Sequence, residues 1–417
     1  MIDQDLCWFG RIPRHWKVKR VGAVYKQRNT KVNDRDFPPL SVTKKGVLPQ
    51  LETVAKTNDG DNRKLVRKGD FVINSRSDRR NSCGVSTLDG SVSLINIVLQ
   101  QIDSKATNVD YLNFLFGTER FADEFYRLGS GIVDDLWSTR WQDLKKMNLC
   151  LPPVAEQIEI ANFLAENVKK IDSLITDIEK QIELLQEYKK SVITETVTKG
   201  LDSGVDMKDS GVKWLGEIPS AWHIHPLSFY FRERKSKNYD LREKNLLSLS
   251  YGKVIRKDIN TTEGLLPVSF STYNIVEPGD IVIRPTDLQN DQRSLRTGLV
   301  TEKGIITSAY IALAPKGNIS CSYFHYLLHS YDIQKVFYNM GNGVRQGLNY
   351  SEFSKLLVIA PPSISEQNKI AEFLDLKCRS VDFVIEDKTK QLLVLRNLRK
   401  VLIYEYVTGK KTVPPMY

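Results

Sequence analysis

The chain contains its own pattern twice, at a shift of 206 residues where each copy begins. Residues 8–16 read WFGRIPRHW and residues 214–222 read WLGEIPSAW, with five of nine positions identical. Farther along, residues 156–198 align without a gap on 366–408, with 17 of 43 positions identical. A repeat of this length is too long for a solenoid. It predicts two complete half-proteins in one chain, each a domain followed by a helix.

Length, hydropathy and charge limit the class of protein. At 417 residues the chain is long enough for two or more domains, each with its own core. No run approaches the roughly 18 apolar residues of a membrane span, and the start of the sequence lacks the features of a signal peptide. We therefore expect a cytoplasmic protein with no membrane partner. The net charge of +10 is a moderate indication of a polyanionic partner.

The cysteines are odd in number and have no paired spacing. This pattern favours a reducing compartment and free thiols over disulfides or a zinc cluster. The five residues are Cys7, Cys83, Cys150, Cys321 and Cys378.

The first 153 residues predict a mixed α/β domain. Strands are expected at Lys68–Ile73 and Val92–Leu99, which are apolar runs bounded by Gly, Asn, Asp and Ser. A helix is expected over Asp110–Leu128, where apolar residues recur at helical spacing. Its start, YLNFLF, returns in the second copy as YFHYLL at 323–328.

A long helix over residues 154–198 is the clearest predicted element. Its apolar residues follow alternating steps of four and three for about four heptads, which is typical of a coiled coil. Lys189 stands in one slot of this seam. The residues that we assign to a helix interface are Leu164, Ile171, Ile175, Ile178, Ile182 and Leu185.

The second copy predicts a matching helix over residues 363–408. Lys388 and Arg399 interrupt its seam, so the second seam is weaker on its own than the first. Ser363 and Glu366 have the spacing of a capping box at its start. The interface residues assigned here are Leu374, Val381, Ile385, Leu392, Leu395 and Leu402.

Residues 199–213 are rich in Gly, Ser and Asp and predict a linker. That linker is short beside a helix of roughly 65 Å, at about 1.5 Å per residue. The second domain should therefore begin near the far end of the first helix, and its own helix should run back. We expect the two helices to pack antiparallel in a pseudo-twofold arrangement, with one domain at each end.

Motifs for catalysis are missing from the sequence. It has no P-loop, no Gly-x-Gly-x-x-Gly after a strand and no Gly-x-Ser-x-Gly elbow. His223 with His225, and His325 with His329, have spacings that suit a metal, but Asn113 and a glycine stand at the positions of the second pair. We expect no metal site. The repeated carboxylates, Asp172 with Asp382 and Glu195 with Glu405, are expected to be exposed helix positions or caps.

Two polar and basic loops give a more specific indication of function than the missing catalytic motifs do. Residues 76–82, RSDRRNS, follow the strand GDFVI, and residues 284–296 follow the second copy of that strand, GDIVI. The two loops occupy the same place but differ completely in sequence. Arg, Asn and Gln read base edges in the major groove, and Lys and Arg bind phosphates. The alternative is a pair of ordinary solvated loops.

The strands before the two loops are duplicated, but the loops themselves differ. A DNA-binding protein built in this way should recognise two different half-sites. The candidate DNA contacts are Arg28, Lys44, Lys45, Arg76, Arg79, Arg80, Asn81, Arg234, Lys253, Arg284, Gln289, Asn290, Arg293 and Arg296.

In these motifs the chain resembles the specificity subunit of Type I restriction–modification enzymes, over nearly its whole length. The resemblance rests on the WxGxIPxxW motifs and on PPxxEQxxIAxFL at 152–164, whose second copy at 361–374 has one extra residue. The join between the copies, from VTKGL at 197–201 to WLGEIP at 214–219, is also typical.

The resemblance implies an α+β fold with two tandem target recognition domains separated by two conserved helices. The corresponding divisions are 1–153 and 214–362 for the domains, 154–198 and 363–408 for the helices, 199–213 for the linker and 409–417 for a tail.

The resemblance also implies partners. These are double-stranded DNA, two methyltransferase subunits that grip the helices, and two restriction subunits in the full complex. S-adenosylmethionine and ATP would belong to the partners, with no cofactor on this chain, and the target adenine would be flipped into the methyltransferase. The chain itself would be non-catalytic.

Two other functions are alternatives to sequence-specific DNA recognition. The first is a coiled-coil scaffold that binds proteins only, and the second is an enzyme with its own DNA chemistry. Steep salt dependence of duplex binding would distinguish a reader from a scaffold, since phosphate contacts release counterions. Activity without partners would indicate an enzyme. Neither the half-site sequences nor the spacer length follows from the sequence.

Overall fold

The computed structural model describes residues 8, 10–50, 60–131, 137–259, 269–288, 291, 295–338, 340 and 347–415. The chain divides into two compact units. The first comprises the chain up to Glu179 and from Lys390 onward, and the second comprises Lys180–Thr389. Each unit therefore takes part of both long helices.

The first unit is built from antiparallel strands and short helices. Its main sheet has the strand order β2-β10-β7-β8, beside smaller sheets β3-β6-β9, β1-β11 and β4-β5. The strands are β1 (Lys17–Arg20), β2 (Tyr25–Gln27), β3 (Lys31–Val32), β4 (Leu40–Thr43), β5 (Gly46–Pro49), β6 (Arg63–Val66), β7 (Phe71–Asn74), β8 (Cys83–Val85), β9 (Gly90–Val92), β10 (Asn96–Gln101) and β11 (Asn148–Leu151). The helices are α1 (Val21–Val24), α2 (Val109–Phe116), α3 (Glu119–Arg127), α4 (Trp141–Leu144) and the first part of α5 (Val154–Lys199).

The second unit repeats this plan. Its main sheet has the order β15-β22-β19-β20, beside the pairs β12-β13, β14-β23, β16-β17 and β18-β21. The strands are β12 (Met207–Asp209), β13 (Glu217–Pro219), β14 (His223–Pro226), β15 (Phe231–Glu233), β16 (Leu247–Ser250), β17 (Lys253–Arg256), β18 (Asn274–Val276), β19 (Ile281–Ile283), β20 (Thr297–Leu299), β21 (Gly304–Ile306), β22 (Ile311–Pro315) and β23 (Leu357–Ala360). The helices are α6 (Leu227–Tyr230), α7 (Cys321–Ile333), α8 (Tyr350–Phe353) and the first part of α9 (Ile364–Val407).

The repeated tryptophan and glutamate motifs join each long helix to its unit. Trp16 Nε1 donates to Glu156 Oε1 at 3.1 Å, and Trp222 Nε1 donates to Glu366 Oε1 at the same distance. Both tryptophans are almost fully buried, and a buried N–H without a partner would be costly. The duplicated motifs are therefore parts of the frame.

The C-terminal end of each long helix belongs to the unit in which the helix did not begin. The end of α9 lies in the first unit, and the end of α5 lies in the second. Tyr111 Oη donates to the carbonyl oxygen of Val407 at 2.8 Å, and Tyr323 Oη donates to that of Val197 at 3.1 Å. The last carbonyls of a helix have no intrahelical partner. These two tyrosines satisfy one such carbonyl in each unit.

The seam of the long helices matches the pattern of burial. Every assigned interface residue is buried or half-buried, whereas most positions between them are exposed. Leu164 and Leu374 are completely buried in the cores of the first and second unit, respectively. Ile175 and Ile385 are half-buried.

Several local expectations are wrong. The helix expected over Asp110–Leu128 is two helices, α2 and α3, because Thr118 caps the second of them through Oγ1, which accepts from Phe121 N at 3.3 Å. In the second copy α7 runs through the same level without a break. The strand expected at Val92–Leu99 is divided between β9 and β10 by a turn in which Asn96 N donates to Ser93 O.

The start of α9 and the expected linker also differ from expectation. Ser363 Oγ accepts from Ser365 N at 3.2 Å, and the carboxylate of Glu366 accepts from Trp222, so the capping box does not form as expected. Within 199–213, Met207–Asp209 forms β12, which pairs with β13. The second unit therefore recruits part of the expected linker into its sheet.

The cysteines are not all free thiols. Cys83, Cys321 and Cys378 are free, whereas Cys150 is disulfide-bonded, which corrects the expectation at that position. Burial raises the pKa of the Cys83 thiol to about 12, so this thiol stays protonated at neutral pH.

The histidines of α7 are core residues. His325 and His329 lie with ring centroids 6.1 Å apart, and burial lowers their pKa values to about 4 and about 3. No group of three His, Cys, Asp or Glu side chains suited to a metal ion occurs in the described ranges. Nor does any helix there combine the length and hydropathy of a membrane span.

This burial predicts a loss of stability in mild acid. Both histidines are neutral in the fold, whereas their ordinary pKa is about 6.5. Their contribution is therefore complete above pH 6.5 and declines as the pH falls toward 4. Between pH 7 and 5 we expect the free energy of unfolding to drop by about 1–2 kcal/mol per histidine. Urea unfolding at both pH values should show a smaller drop for His325→Asn/His329→Gln; an equal drop would contradict this origin.

Candidate nucleic-acid interface

The loop between β7 and β8 has a rigid base. Tyr126 Oη donates to the carbonyl oxygens of Asn74 and Arg79, at 3.3 Å each. Thr139 N donates to Ser75 O at 3.0 Å. Because both ends of the loop are held by hydrogen bonds, its side chains are presented from a fixed backbone.

The structure brings three predicted arginines together on this loop. Arg76, Arg79 and Arg80 are all exposed. Arg80 makes an ion pair with Asp123, and its guanidinium lies 5.6 Å from the centre of the Tyr126 ring. Asn81 is half-buried in the left-handed region, with φ 61°, a conformation that Asn tolerates. The cluster offers guanidinium groups, the donors that fit phosphates and guanine edges.

Lys44 and Lys45 lie beside the same loop. They are exposed at the turn between β4 and β5. This turn packs against β8, since a Cβ added to Gly84 would lie only 2.9 Å from Gly46 Cα. The hairpin therefore packs against β8, the strand that follows the Arg76–Asn81 loop.

Arg28 and Arg234 are structural residues rather than free base readers. Arg28 binds Asp70 through Nε and Nη2, at 2.7 and 3.0 Å, and its side chain is only 18% exposed. Arg234 binds Asp280 in the same way, with Nη2 2.8 Å from Oδ1. Each aspartate is the Asp of a Gly-Asp turn that precedes a strand of the main sheet. We therefore remove both arginines from the candidate DNA contacts.

The aspartates of these pairs also organise the backbone. Asp70 accepts from Arg67 N at 2.9 Å, and Asp280 accepts from Glu277 N at 2.9 Å. Burial raises the pKa of Asp280, while Arg234 and the backbone donor oppose that shift. The repeated Gly-Asp motif is thus a clamp, defined here as Arg28–Asp70 in the first unit and Arg234–Asp280 in the second. Both members of the clamp occur in each copy of the sequence, and that repeat was a signal by which the clamp could have been found.

The equivalent loop of the second unit is only partly described. Gln289, Asn290 and Arg293 lie outside the described residues. Arg284 is about one-third exposed and its Nη2 lies 3.2 Å from Asp291 Oδ2.

Arg296 is completely buried, which corrects its assignment as a DNA contact. Its Nη2 donates to the carbonyl oxygens of Asp287 and Asp291, at 2.8 and 2.5 Å, and its Nη1 donates to that of Thr286. Its Nε donates to Tyr338 Oη at 3.0 Å. The side chain points into the unit and binds three backbone carbonyl oxygens of the loop.

The charged seam positions are paired between helices. In the first unit Arg399 Nε lies 2.7 Å from Asp172 Oδ1, and Arg396 Nη2 lies 2.6 Å from Glu179 Oε1. From one pair to the next the residue number rises on α5, from 172 to 179, and falls on α9, from 399 to 396. The two helices therefore run antiparallel here. Asp172, expected to be an ordinary exposed position, is therefore a cross-helix partner.

The second unit repeats the arrangement. Lys189 Nζ lies 2.7 Å from Asp382 Oδ1, and these residues align with Arg399 and Asp172 of the first unit. Lys388 Nζ donates to Gln181 Oε1 at 2.5 Å. The lysine that interrupts the second seam thus has a polar partner on the opposite helix.

No protein-family model matches the chain. Two proteins of Methanocaldococcus jannaschii, the MjaVIII and MjaX specificity subunits named for type I restriction enzymes, are each 24% identical to it. The alignments span 434 and 436 residues and cover 96% of this chain, with 94% and 95% of the respective relative. The chain resembles type I specificity subunits.

A solved structure agrees at the level of the fold. A chain from work on complex assembly and conformational transition of the type I R-M system matches with a TM-score of 0.64 and 14% sequence identity. The match covers 96% of this chain and 100% of that chain. The resemblance drawn from the duplicated motifs is confirmed, and so is a mixed helix and strand fold.

Proposed function

We propose that this chain is the DNA sequence-recognition subunit of a type I restriction–modification complex. The observation that carries the proposal is its alignment with two specificity subunits over 96% of its length. In each unit a duplicated clamp precedes a strand of the main sheet, and a loop that differs between the copies follows that strand. Each recognition domain reads one half of an asymmetric bipartite site. A protein-only scaffold would not explain an exposed three-arginine loop beside two exposed lysines.

The two helices form an antiparallel coiled coil with pseudo-twofold symmetry, which sets the spacer between the half-sites. The equivalent ion pairs Asp172–Arg399 and Asp382–Lys189 support this arrangement. The domains correspond to 1–153 and 214–362, in keeping with the duplicated motifs.

The outer faces of the helices bind two methyltransferase subunits. In the second unit Leu376 and Phe383 are 72% and 73% exposed, and in the first Leu393 and Val394 are 62% and 64% exposed. These large apolar side chains, all on α9, are exposed to solvent and support a protein interface along that helix. S-adenosylmethionine and ATP are bound by partner subunits, two restriction subunits complete the complex, and the chain acts without catalysis of its own in the cytoplasm.

Methylation mapping tests the function. Genomic DNA from cells that carry this chain and its methyltransferase should contain one methylated asymmetric bipartite site. Deletion of this chain should remove that methylation. Persistence of the same methylated site after deletion would refute the proposal. The absence of salt-dependent duplex binding would favour the scaffold instead.

The first-unit loop predicts a defect confined to one half-site. Replacing Arg76, Arg79 and Arg80 with Ala should weaken binding to a duplex with the intact first half-site, by about 1–3 kcal/mol for each lost base contact. Discrimination within the second half-site should stay unchanged. Competition binding with duplexes altered in one half-site at a time measures both. An equal loss on all duplexes would identify these arginines as phosphate contacts.

A further inference from the structure

The hairpin of β16 and β17 carries an unusual aromatic residue at its tip. Ser250 and Lys253 are paired, with Tyr251 and Gly252 between them at φ 46° and 78°, as in a type I′ turn. Tyr251 is 88% exposed, the highest value among the large hydrophobic side chains of the described residues. A ring so placed adds nothing to the core.

The backbone of Tyr251 is strained as well. A positive φ favours Gly or Asn at this position of the turn, and a bulky side chain is unfavourable there. The fold therefore explains neither the exposure of the ring nor the choice of residue. Strain of this kind is typical of positions retained for a contact outside the fold.

The hairpin lies beside Leu295, at the end of the loop at residues 284–296. A Cβ added to Gly298 of β20 would lie 2.5 Å from Leu249 Cδ1 and 3.0 Å from Val254 Cγ2. A Cβ added to Gly252 would lie 3.1 Å from Leu295 Cδ1. These close approaches fix the tip next to the residue that precedes Arg296, at the end of the loop.

The aligned hairpin of the first unit carries different chemistry at the same place. There the turn residues are Lys44 and Lys45, whereas the second unit has Tyr251 and Gly252, followed by the exposed Lys253. Lysines bind phosphates without regard to sequence, and an aromatic ring stacks on a base. Lys253 adds a positive charge beside the ring, which suits a nucleic acid.

We propose that Tyr251 stacks against a base or inserts at a base step of the second half-site, while Lys44 and Lys45 bind phosphates at the first. The inference rests on the proposed function. The first half-site is bound through lysine–phosphate contacts, and the second through an aromatic side chain that contacts a base.

Equilibrium binding of the full chain with its methyltransferase tests the assignment. The probe is a duplex with the mapped site and 2-aminopurine placed at successive positions of the second half-site. Tyr251→Ala should lower affinity about 5- to 150-fold, the range for loss of one stacked base. The log–log slope of affinity against salt should not change. At the position that Tyr251 contacts, the 2-aminopurine fluorescence change on binding should be lost in Tyr251→Ala, while the rise at the target adenine flipped by the methyltransferase should remain.

Matched variants separate stacking from charge and from folding. Tyr251→Phe should bind like the unaltered chain. Tyr251→Asn should relieve the strain and raise the urea midpoint while it lowers affinity. Lys44→Ala/Lys45→Ala should reduce the salt slope by about 1.8, at about 0.9 per phosphate contact.

Other outcomes would overturn the inference. If Tyr251→Ala binds the duplex as tightly as the unaltered chain, the stacking contact is wrong while the proposed function stands. If it fails to assemble with the methyltransferase, Tyr251 is a protein contact instead. If the unaltered complex shows no preference for the mapped duplex, the proposed function itself fails.

Discussion

A chain shortened to residues 1–198 is expected to form a homodimer, because it keeps the first domain but loses the helix segment that completes its core. Ile403, Tyr406 and Val407 belong to that core in the full chain. A second copy offers Ile193, Thr196 and Val197 at the aligned positions. Its Lys189 would replace Arg399 opposite Asp172. An exposed apolar seam of this kind associates with a matching surface.

With the methyltransferase, this dimer should modify a palindrome made from the first half-site and its inverted copy. The spacer should stay close to that of the full chain, because the same helices set it. Methylation mapping and light scattering measure the site and the mass. A monomer, or continued modification of the asymmetric site, would refute the pseudo-twofold arrangement.

One position offers a control for this dimer. In the full chain the Tyr406 ring lies 4.6 Å from that of Phe163. Thr196 would leave this space unfilled in the shortened dimer, so Thr196→Tyr should strengthen the dimer by about 1 kcal/mol, the scale of an aromatic pair. A weaker dimer would indicate a different packing of the helices.

Arg296→Met is expected to lower the free energy of unfolding by about 3–5 kcal/mol, the cost of removing one member of a buried charged network. Methionine keeps most of the volume but none of the donors, so the carbonyl oxygens of Thr286, Asp287 and Asp291 lose their partner. Urea unfolding measures the change. Recognition of the second half-site should fail with it, although Arg296 contacts no solvent.

Arg284→Met is the matched control. Its guanidinium faces the carboxylate of Asp291 but is about one-third exposed. Pairs in such positions contribute at most about 1 kcal/mol. If both substitutions reduce stability equally, the buried hydrogen bonds of Arg296 are not what holds the loop.

The duplication and the heptad pattern allowed the long helices, the two-copy plan and the buried seam to be anticipated. These features depend on periodicity, which the sequence records directly. The break between α2 and α3 was not foreseen, because it depends on one threonine that caps a new helix at Phe121. The pairing of Met207–Asp209 with β13 was missed because a polar, Gly-rich run carries little strand signal.

The interface was anticipated less well than the fold. Arg76, Arg79 and Arg80 are exposed as expected for contacts, but composition does not distinguish an outward arginine from an inward one such as Arg296. Alignment of the two copies distinguishes arginines that belong to the shared fold from arginines that differ between the copies. Arg28 and Arg234 occupy the same place in both copies, and residues that read different half-sites should not be duplicated.

The Arg28–Asp70 and Arg234–Asp280 clamps lie at the start of β7 and of β19, whereas the loops that differ between the copies follow the ends of those strands. A substitution among Arg76, Arg79 and Arg80 removes no group that either clamp uses. New recognition sequences can therefore arise by changes that cost the chain little stability. Under the proposed function, the loops can therefore differ from one host lineage to another while the clamps and the sheets beside them stay the same.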